Sequence, residues 1–260
     1  MASLKQTSIT GSLLVSGSSI IMPNLSASVD SGSGGQMWID DSAGLELKFT
    51  QVGSYGSQNS PFTCLGAWSA GGALGTGGRY FMAAGDSNAG LSAGGCTAPS
   101  RTAIVQEYNS NIWVAGTSMP TQQALGAGVG TQNSVLVFGG EPTPNCTTGY
   151  DGTSWTAGGN LITGRYFGSG AGSQNAALYA GGSPSILSAV EEYNGSAWAS
   201  GTALITARRA SGGGGTLSAA TAFGGTNPSM LACHEQYNGT SWTVATPLNA
   251  ARGAGGAASK

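Results

Sequence analysis

Short apolar stretches alternate with glycine and small polar residues along most of the chain, and their spacing repeats. Tryptophan recurs at intervals of 45, 42, 43 and 44 residues, at Trp68, Trp113, Trp155, Trp198 and Trp242. Pairs of adjacent glycines keep the same period, at 94–95, 139–140, 181–182 and 224–225. Independent markers that stay in phase over several units indicate a structural repeat of about 43 residues.

Each unit predicts four short β-strands, and the third unit shows them most clearly. Its segments are "RYFGSGAG" at 165–172, "NAALYAGG" at 175–182, "AVEEYNG" at 189–195 and "SAWASGTAL" at 196–204. Short runs bounded by glycine, asparagine and serine are typical of strands joined by tight turns. Complete units cover about 79–116, 121–158, 165–201 and 208–245. Their starts are marked by Arg79, Arg165 and Arg208, with "TQQALGAG" in the second unit and Arg252 after the fourth.

A hexapeptide recurs between the third and fourth predicted strands. It reads "YNGSAW" at 193–198, "YNGTSW" at 237–242, "YDGTSW" at 150–155 and "YNSNIW" at 108–113. Asn-Gly and Asp-Gly favour two-residue type I′ hairpin turns. Such a turn at Asn238-Gly239 predicts that Tyr237 pairs with Thr240 and Glu235 with Trp242. Tyr237 and Trp242 would then form a diagonal aromatic pair on one face of the hairpin.

Four-stranded units with Gly-Gly after the second strand, and with Tyr and Trp across the third and fourth, resemble kelch repeats. The resemblance covers about residues 62–256, although the Tyr-to-Trp interval of five residues is shorter than is common in kelch turns. WD40 repeats fit less well, because their Gly-His and Trp-Asp signatures are absent. The kelch resemblance implies an all-β fold, a β-propeller of about five four-stranded blades spanning residues 53–260.

The fifth blade of that propeller would be built from both ends of the repeat region. Residues 251–259 would supply its first strand and residues 61–74 its later strands. Its second strand would come from 45–53 or be missing. Both chain ends would thereby close the ring and remove the open sheet edges.

Residues 1–52 lie outside the repeat and predict a small β-rich attachment segment. The stretch "QMWIDDSAGLELKFT" at 36–50 predicts a hairpin, with Leu45, Leu47 and Phe49 on one face. The segment has too few apolar residues to form its own core. Its phrases "TGSL-V-GS" and "G-MW-D…G-LK-" resemble N-terminal segments of bacteriophage tail-fibre and other virion proteins. That resemblance implies docking to other virion proteins and assembly as a homotrimer.

Composition excludes several classes of function. Charged residues make up only 8% of the 260 and the formal net charge is −2, so no basic surface for nucleic acid is predicted. No apolar run approaches the ~20 residues of a membrane-spanning helix. The first 24 residues lack the apolar core of a signal peptide, which predicts synthesis in a host cytoplasm without export by such a signal, before assembly into the virion.

The four cysteines predict free thiols that act as small apolar side chains. Cys64, Cys96, Cys146 and Cys233 contain no C-x-x-C pair, so no zinc site is indicated. Cys146 and Cys233 both stand nine residues before their tryptophan, at equivalent positions two blades apart. That separation excludes a disulfide between them if the propeller is correct.

No combination of residues predicts catalysis, a cofactor or a metal centre. His234 is the chain's single histidine, whereas the copper site of the kelch-like galactose oxidase needs two. The motif "TGYDGTSW" is close to the Asp-box of sialidases, but Asp151 is four residues before Trp155 instead of five. The recurring arginines favour contacts between blades or a position lining the mouth. Glu191 and Glu192 would point to opposite faces of one strand, so they cannot act as a carboxylate pair.

The sequence therefore predicts a bacteriophage virion structural protein without enzymatic activity. Residues 1–52 would attach it, and the propeller would be displayed as a tail fibre or receptor-binding component touching a host-surface glycan or protein. The alternatives are a capsid-surface fibre or decoration protein, a glycan-active propeller enzyme and a cytosolic kelch interaction module. Tyr80, Tyr166 and Arg209 are the more informative side chains in otherwise Gly-, Ser-, Thr- and Asn-rich loops.

Overall fold

The computed structural model describes residues 71–253, together with the backbone of three strands outside that range. The chain divides into two units, Met1–Ala70 and Gly71–Lys260. In the first unit, β1 (Met37–Asp40) pairs antiparallel with β2 (Glu46–Phe49), with Met37 opposite Phe49 and Asp40 opposite Glu46. The hairpin predicted at 36–50 is therefore confirmed. Other statements about residues 1–70, including the docking role and positions of Cys64 and Trp68, lie outside the described residues.

The described residues of the second unit form four larger, mainly antiparallel sheets, which we number blades 1 to 4 in chain order. Blade 1 contains β3 (Met82–Gly85), β4 (Gly90–Ala93), β7 (Val105–Tyr108) and β8 (Trp113–Ala115), with the small hairpin β5 (Cys96–Thr97) and β6 (Ser100–Arg101) between β4 and β7. Blade 2 contains β9 (Ala127–Thr131), β10 (Ser134–Phe138), β11 (Thr147–Tyr150) and β12 (Trp155–Ala157). Blade 3 contains β13 (Ser169–Ser173), β14 (Ala176–Ala180), β15 (Val190–Tyr193) and β16 (Trp198–Ser200). Blade 4 contains β17 (Gly212–Thr216), β18 (Ala219–Phe223), β21 (His234–Tyr237) and β22 (Trp242–Ala245), with the small hairpin β19 (Thr226–Asn227) and β20 (Ser229–Met230) between β18 and β21.

The first strands of successive blades lie side by side, in the order β3, β9, β13 and β17. This arrangement is propeller-like, and it explains why the first strands are so rich in small residues. A Cβ at Gly170 would come within 2.9 Å of Ala127 Cβ, and one at Gly213 within 2.7 Å of Ser169 Cβ. Larger side chains at these positions would therefore push neighbouring blades apart. The predicted all-β class and the four-strand pattern are confirmed in the described residues, which contain no helix.

Within residues 71–253, the hydrophobic core forms three layers, each lying between two consecutive blades. The hexapeptide supplies aromatic rings to these layers. Tyr193 and Trp198 of blade 3 pack against Phe138 of blade 2, and Trp198 Nε1 donates to Thr147 Oγ1 at 2.9 Å. In blade 4, Trp242 Nε1 reaches back to the carbonyl oxygen of Thr202 in the same way, at 3.0 Å. The repeated aromatic pair therefore holds each blade to the one before it.

The hairpin turn within the hexapeptide differs from the sequence prediction. Tyr237 pairs directly with Trp242 and Tyr193 with Trp198, so each loop has four residues instead of two. The asparagine side chain causes this difference, because Asn238 Oδ1 accepts hydrogen bonds from the backbone N–H groups of Thr240 and Ser241 at 3.0 and 2.9 Å. Such local bonding stabilises an Asx turn. Only the residue after the asparagine needs a positive φ, which is 91° at Gly239.

Replacing Asp151 by asparagine should weaken the dependence of stability on acid. Asp151 Oδ1 accepts from the N–H groups of Thr153 and Ser154 at 2.8 and 2.7 Å, and these bonds hold the pKa of its carboxyl well below the usual range. A lowered folded pKa contributes stability at neutral pH that is lost as pH falls below about 4. Asp151→Asn keeps the turn, as Asn194 and Asn238 do. Urea unfolding at pH 7 should be unchanged, and the decline between pH 4 and 2 should be shallower. An equally steep decline would contradict this assignment.

A buried ion pair fixes the chain segment that enters blade 3, and blade 4 repeats it. Glu191 is 3% exposed and pairs with Arg165, which is fully buried. The same carboxylate accepts from the backbone N–H groups of Ile162 and Thr163, at 2.8 and 3.0 Å. In blade 4, Glu235 pairs with Arg208 and accepts from the N–H groups of Ile205 and Thr206 at the same distances. One carboxylate therefore organises each of these connections between blades.

The first two blades replace this ion pair with neutral groups. In blade 1, Gln106 takes the place of the glutamate and accepts from Thr76 N–H at 3.0 Å. In blade 2, buried Gln123 takes the place of the arginine, and its amide donates to Gly139 O. Because an unpaired buried charge is costly, the loss of the arginine and of the glutamate together keeps these positions neutral.

The backbone pairing corrects the alignment of the arginines at the blade starts. The backbone of Arg79 forms an isolated antiparallel β-bridge with Cys96. Tyr166 and Arg209 form the equivalent β-bridges with Ser183 and Thr226. Arg79 is thus equivalent to Tyr166 and Arg209, whereas Arg165, Arg208 and Arg252 share a different position. In that second position, the backbone oxygens of Arg165, Arg208 and Arg252 accept from Gly140, Gly182 and Gly225 respectively. The repeated "GRYF" letters were misleading, because one residue separates the two positions.

Adjacent glutamates on β15 face different partners, as the alternation of strand residues predicts. Glu191 faces Arg165, whereas Glu192 Oε1 accepts from the hydroxyl of Tyr237 in blade 4 at 2.7 Å. Burial and this carboxylate raise the pKa of Tyr237 to about 12 from an ordinary value of 10.0. The interaction therefore contributes its full stability below pH 10 and loses it as pH rises through about 12.

Tyr237→Phe should lower the free energy of unfolding at pH 7 by about 1.5–3 kcal/mol, because it removes one hydrogen bond to a charged group. The variant should also lose less stability than the wild type between pH 10 and 12. Urea titrations across this range measure both effects. Tyr193→Phe is the matched control, since Gly149 stands where the carboxylate would be in the preceding blade. An alkaline decline that is the same in wild type and Tyr237→Phe would show that this tyrosine does not cause it.

The predicted fifth blade is not shown as a separate sheet. The strand β23 (Ala258–Ser259) pairs in parallel with β17, with Gly214 opposite Ala258, and extends blade 4 to five strands. It lies beside the first strand of blade 4, where the first strand of a next blade would lie. Residues 71–74 form no strand, and residues 61–70 lie outside the described part.

Candidate ligand-binding face

One end of the propeller-like unit carries the loops between second and third strands and the connections between blades. We call this end the connection face. Two residues before the first strand of each blade, the connection carries a non-glycine residue with positive φ: Tyr80, Leu125, Phe167 and Ala210, with φ of 61°, 69°, 58° and 50°. Their backbones form a chain of hydrogen bonds from blade to blade, Ala210 N–H to Phe167 O, Phe167 N–H to Leu125 O and Leu125 N–H to Tyr80 O. Backbone conformations of this kind cluster at binding and catalytic sites.

Aromatic side chains meet at the centre of the connection face. Tyr80 of blade 1 and Phe167 of blade 3 contact edge to face, with ring centroids 5.7 Å apart. Tyr80 is 46% exposed, and the guanidinium of Arg79 lies 5.4 Å from its ring centroid. Arg209 is also exposed. Tyr80, Tyr166 and Arg209, singled out from the sequence, therefore lie in the connections that form this face.

A groove runs beside this centre, across the loops of the first three blades. It has a volume of about 400 Å³, and we call it the proline groove. Its main lining residues are Arg101, Glu141, Pro142, Pro144, Tyr166 and Pro184. A second cavity of about 450 Å³ adjoins it and shares Arg101 and Pro142. An ion pair between Arg101 and Glu141 joins the loop of blade 1 to that of blade 2 at this boundary.

The sequence reasoning missed the proline groove, although a signal for it was present. Each Gly-Gly pair is followed by a proline within a few residues, as in "GGCTAP", "GGEPTP", "GGSP" and "GGTNP". The prolines in the first three loops follow cis peptide bonds, at Ala98-Pro99, Glu141-Pro142 and Ser183-Pro184. A proline that recurs after each Gly-Gly pair predicts that these loops lie together on one face.

The seven carboxylates of residues 71–253 are all engaged in contacts that hold the fold. Asp86 and Asp151 accept backbone N–H groups in turns, Glu107 and Glu192 accept tyrosine hydroxyls from the next blade, and Glu141, Glu191 and Glu235 pair with arginines. General acid and base catalysis by two carboxylates needs a pair that faces the substrate. Of these seven, Glu141 lines the groove, where it pairs with Arg101 and has no second carboxylate beside it in the lining.

The histidine and cysteines have structural surroundings in the described residues. His234 lies on β21, with Nε2 2.6 Å from Thr221 Oγ1 and Nδ1 3.1 Å from the backbone oxygen of Thr246. His234 is therefore a strand residue with a partner at each ring nitrogen. Cys96, Cys146 and Cys233 are half-buried free thiols, as expected. Residues 71–253 bring together no group of three potential metal ligands among His, Cys, Asp and Glu.

Comparison with known proteins supports the fold. No family model matches the chain, and no curated protein matches it. Among solved structures, the chain is similar to one described as "Structure of YjhT", with a TM-score of 0.62 and 14% identity over 73% of this chain and 77% of that one. At this identity the likeness concerns the fold alone. In the described part of the chain, no helix has the length and apolar character needed to cross a membrane.

Proposed function

We propose that the chain is a structural protein of a bacteriophage particle, a tail fibre or receptor-binding component. Residues 1–52 attach it to other virion proteins and assemble it as a homotrimer, while residues 53–260 form a propeller displayed towards the host surface. We further propose that the repeats are of the kelch type and form about five blades closed by both chain ends. The four blades and the position of β23 beside β17 support this arrangement.

The observation that carries this proposal is that the carboxylates stabilise the fold, whereas exposed aromatic and arginine side chains lie beside an open groove on the connection face. The carboxylates of residues 71–253 are used in turns, ion pairs and contacts between blades, which favours binding over catalysis. The connection face combines exposed Tyr80, Arg79 and Arg209 with an open groove. A rigid scaffold that presents irregular loops is well suited to recognition.

Trimeric display would strengthen such recognition. Three propellers on one attachment point would raise the effective concentration of each binding site once the first had bound. Weak contacts of one connection face with a host-surface glycan or protein would then suffice for firm adsorption. The protein would act by holding the particle at the cell surface, without chemical change to the receptor.

Immunogold electron microscopy of purified particles tests this function. An antibody against residues 71–253 should label the tail or its fibres. Label over the capsid would instead assign a decoration protein, with the propeller exposed on the head. Intact particles without gold, in a lysate that contains the antigen, would contradict the virion proposal and favour a cytosolic interaction module. Turnover of a saccharide by the purified chain would contradict the non-enzymatic role.

A further inference from the structure

We propose that the proline groove binds a neutral saccharide, in an inference that rests on the proposed attachment function and names its binding site. The groove lies between loops of three different blades, so the fold holds its walls in place. Its volume of about 400 Å³ lies within the ~300–1,000 Å³ of small-ligand sites.

The walls of the groove offer both apolar surfaces and an aromatic ring. Pro142, Pro144 and Pro184 present rigid aliphatic rings, and Tyr166 adds an aromatic ring with a polar hydroxyl. Tyrosine is favoured at binding surfaces because one end of its side chain is apolar and the other can form hydrogen bonds. The face of a pyranose ring that carries axial C–H bonds is apolar, so it can pack on such surfaces.

The polar groups of the groove suit hydroxyls. The Arg101 guanidinium donates hydrogen bonds only and the Glu141 carboxylate accepts only, whereas each sugar hydroxyl can do both. Their side chains are 39% and 31% exposed, so a ligand can reach them. Because the two charges neutralise each other, the groove has no excess positive charge to attract an acidic sugar. This balance favours a neutral saccharide.

Polar atoms without hydrogen-bond partners are concentrated in the same loops. Five buried side-chain atoms of this kind occur in the described residues, and three of them are Arg101 Nε, Thr143 Oγ1 and Ser183 Oγ. Thr143 lies between two groove prolines, and Ser183 precedes a third. Buried polar atoms usually have a partner, and of these three residues Arg101 lines the groove, so a ligand hydroxyl there would accept a hydrogen bond from its guanidinium.

Binding of the full chain to an array of neutral and acidic bacterial-surface oligosaccharides tests the proposal. The wild type should bind at least one neutral oligosaccharide with a saturable signal. Tyr166→Ala should weaken that binding at least tenfold, whereas Tyr166→Phe should retain most of it because the ring is kept. Met230→Ala is the control, since Met230 is exposed in the loop between the second and third strands of blade 4, which does not line the groove. Urea unfolding of each variant would verify that it is folded.

Each outcome of the array experiment decides the proposal. It is overturned if no oligosaccharide binds, if only acidic ones bind, or if Tyr166→Ala binds a neutral one as the wild type does. Immunogold labelling separates this result from the proposed function. Labelled particles with unaffected groove variants would leave the virion role intact and remove the groove. Loss of neutral-saccharide binding in Tyr166→Ala, with unlabelled particles, would keep the site and remove the virion role.

Discussion

Glu191→Gln should lower the free energy of unfolding by about 3–5 kcal/mol, because it leaves the buried guanidinium of Arg165 without its counter-charge. The substitution keeps the shape of the side chain, and an amide oxygen can still accept from Thr163 N–H, as Gln106 accepts from Thr76 N–H in blade 1. The loss therefore reports on charge rather than packing. Urea unfolding followed by tryptophan fluorescence would measure it.

Two further variants show whether the pair acts as a unit. Glu192→Gln changes the next residue on the same strand, where the amide oxygen can still accept from Tyr237, and should cost less than about 1 kcal/mol. The double variant Arg165→Gln/Glu191→Gln should lose less free energy of unfolding than the two single variants lose in sum, by at least about 1 kcal/mol. Strict additivity would show that the two side chains are not coupled, contrary to the buried ion pair.

Gly140→Ala should lower the free energy of unfolding by about 3 kcal/mol. Gly140 has a φ of 93°, and a Cβ there would lie 2.5 Å from the backbone oxygen of Ala124. That oxygen accepts the hydrogen bond from Glu141 N–H at 2.8 Å that joins the loop to the start of blade 2. Backbone strain at a positive φ costs about 1–3 kcal/mol, and the steric overlap adds to it. The same urea titration measures the change.

Gly77→Ala is the matched control for this substitution. A Cβ at Gly77 would meet nothing within 4 Å, and its φ is not in the positive range. Its stability should match or slightly exceed that of the wild type, because alanine restricts the unfolded chain. Equal losses in the two variants would mean that the Gly-Gly loops do not need the positive φ.

Local patterns explain what the sequence could predict. The Tyr…Trp hexapeptide is a contiguous hairpin, so its strands and aromatic pair follow from neighbouring residues. The predicted two-residue length of its loop was wrong, because hydrogen bonding by the side chain of Asn238 and its counterparts competes with the turn favoured by Asn-Gly. The buried ion pair does not occur in every blade, since Gln106 and Gln123 in blades 1 and 2 stand where Glu and Arg stand in later blades.

Contacts between irregular loops were beyond prediction. Arg101 and Glu141 are 40 residues apart and meet only because blades 1 and 2 place their loops side by side. The position of Arg79 within the repeat could not be predicted either. The sequences around Arg79 and Arg165 match each other, whereas the two residues occupy different backbone positions in their blades. The candidate site is therefore a product of the arrangement of blades, whereas each blade is largely a product of its own sequence.

Competition for adsorption tests the central claim most directly. The purified full chain would be added to host cells before the phage whose particles carry it, and the rate of phage adsorption would be measured. The account predicts a saturable fall in adsorption with the wild type and with Met230→Ala, and a much smaller fall with Tyr166→Ala. Adsorption that is unchanged at saturating wild-type protein would contradict the claim that this propeller recognises the host surface.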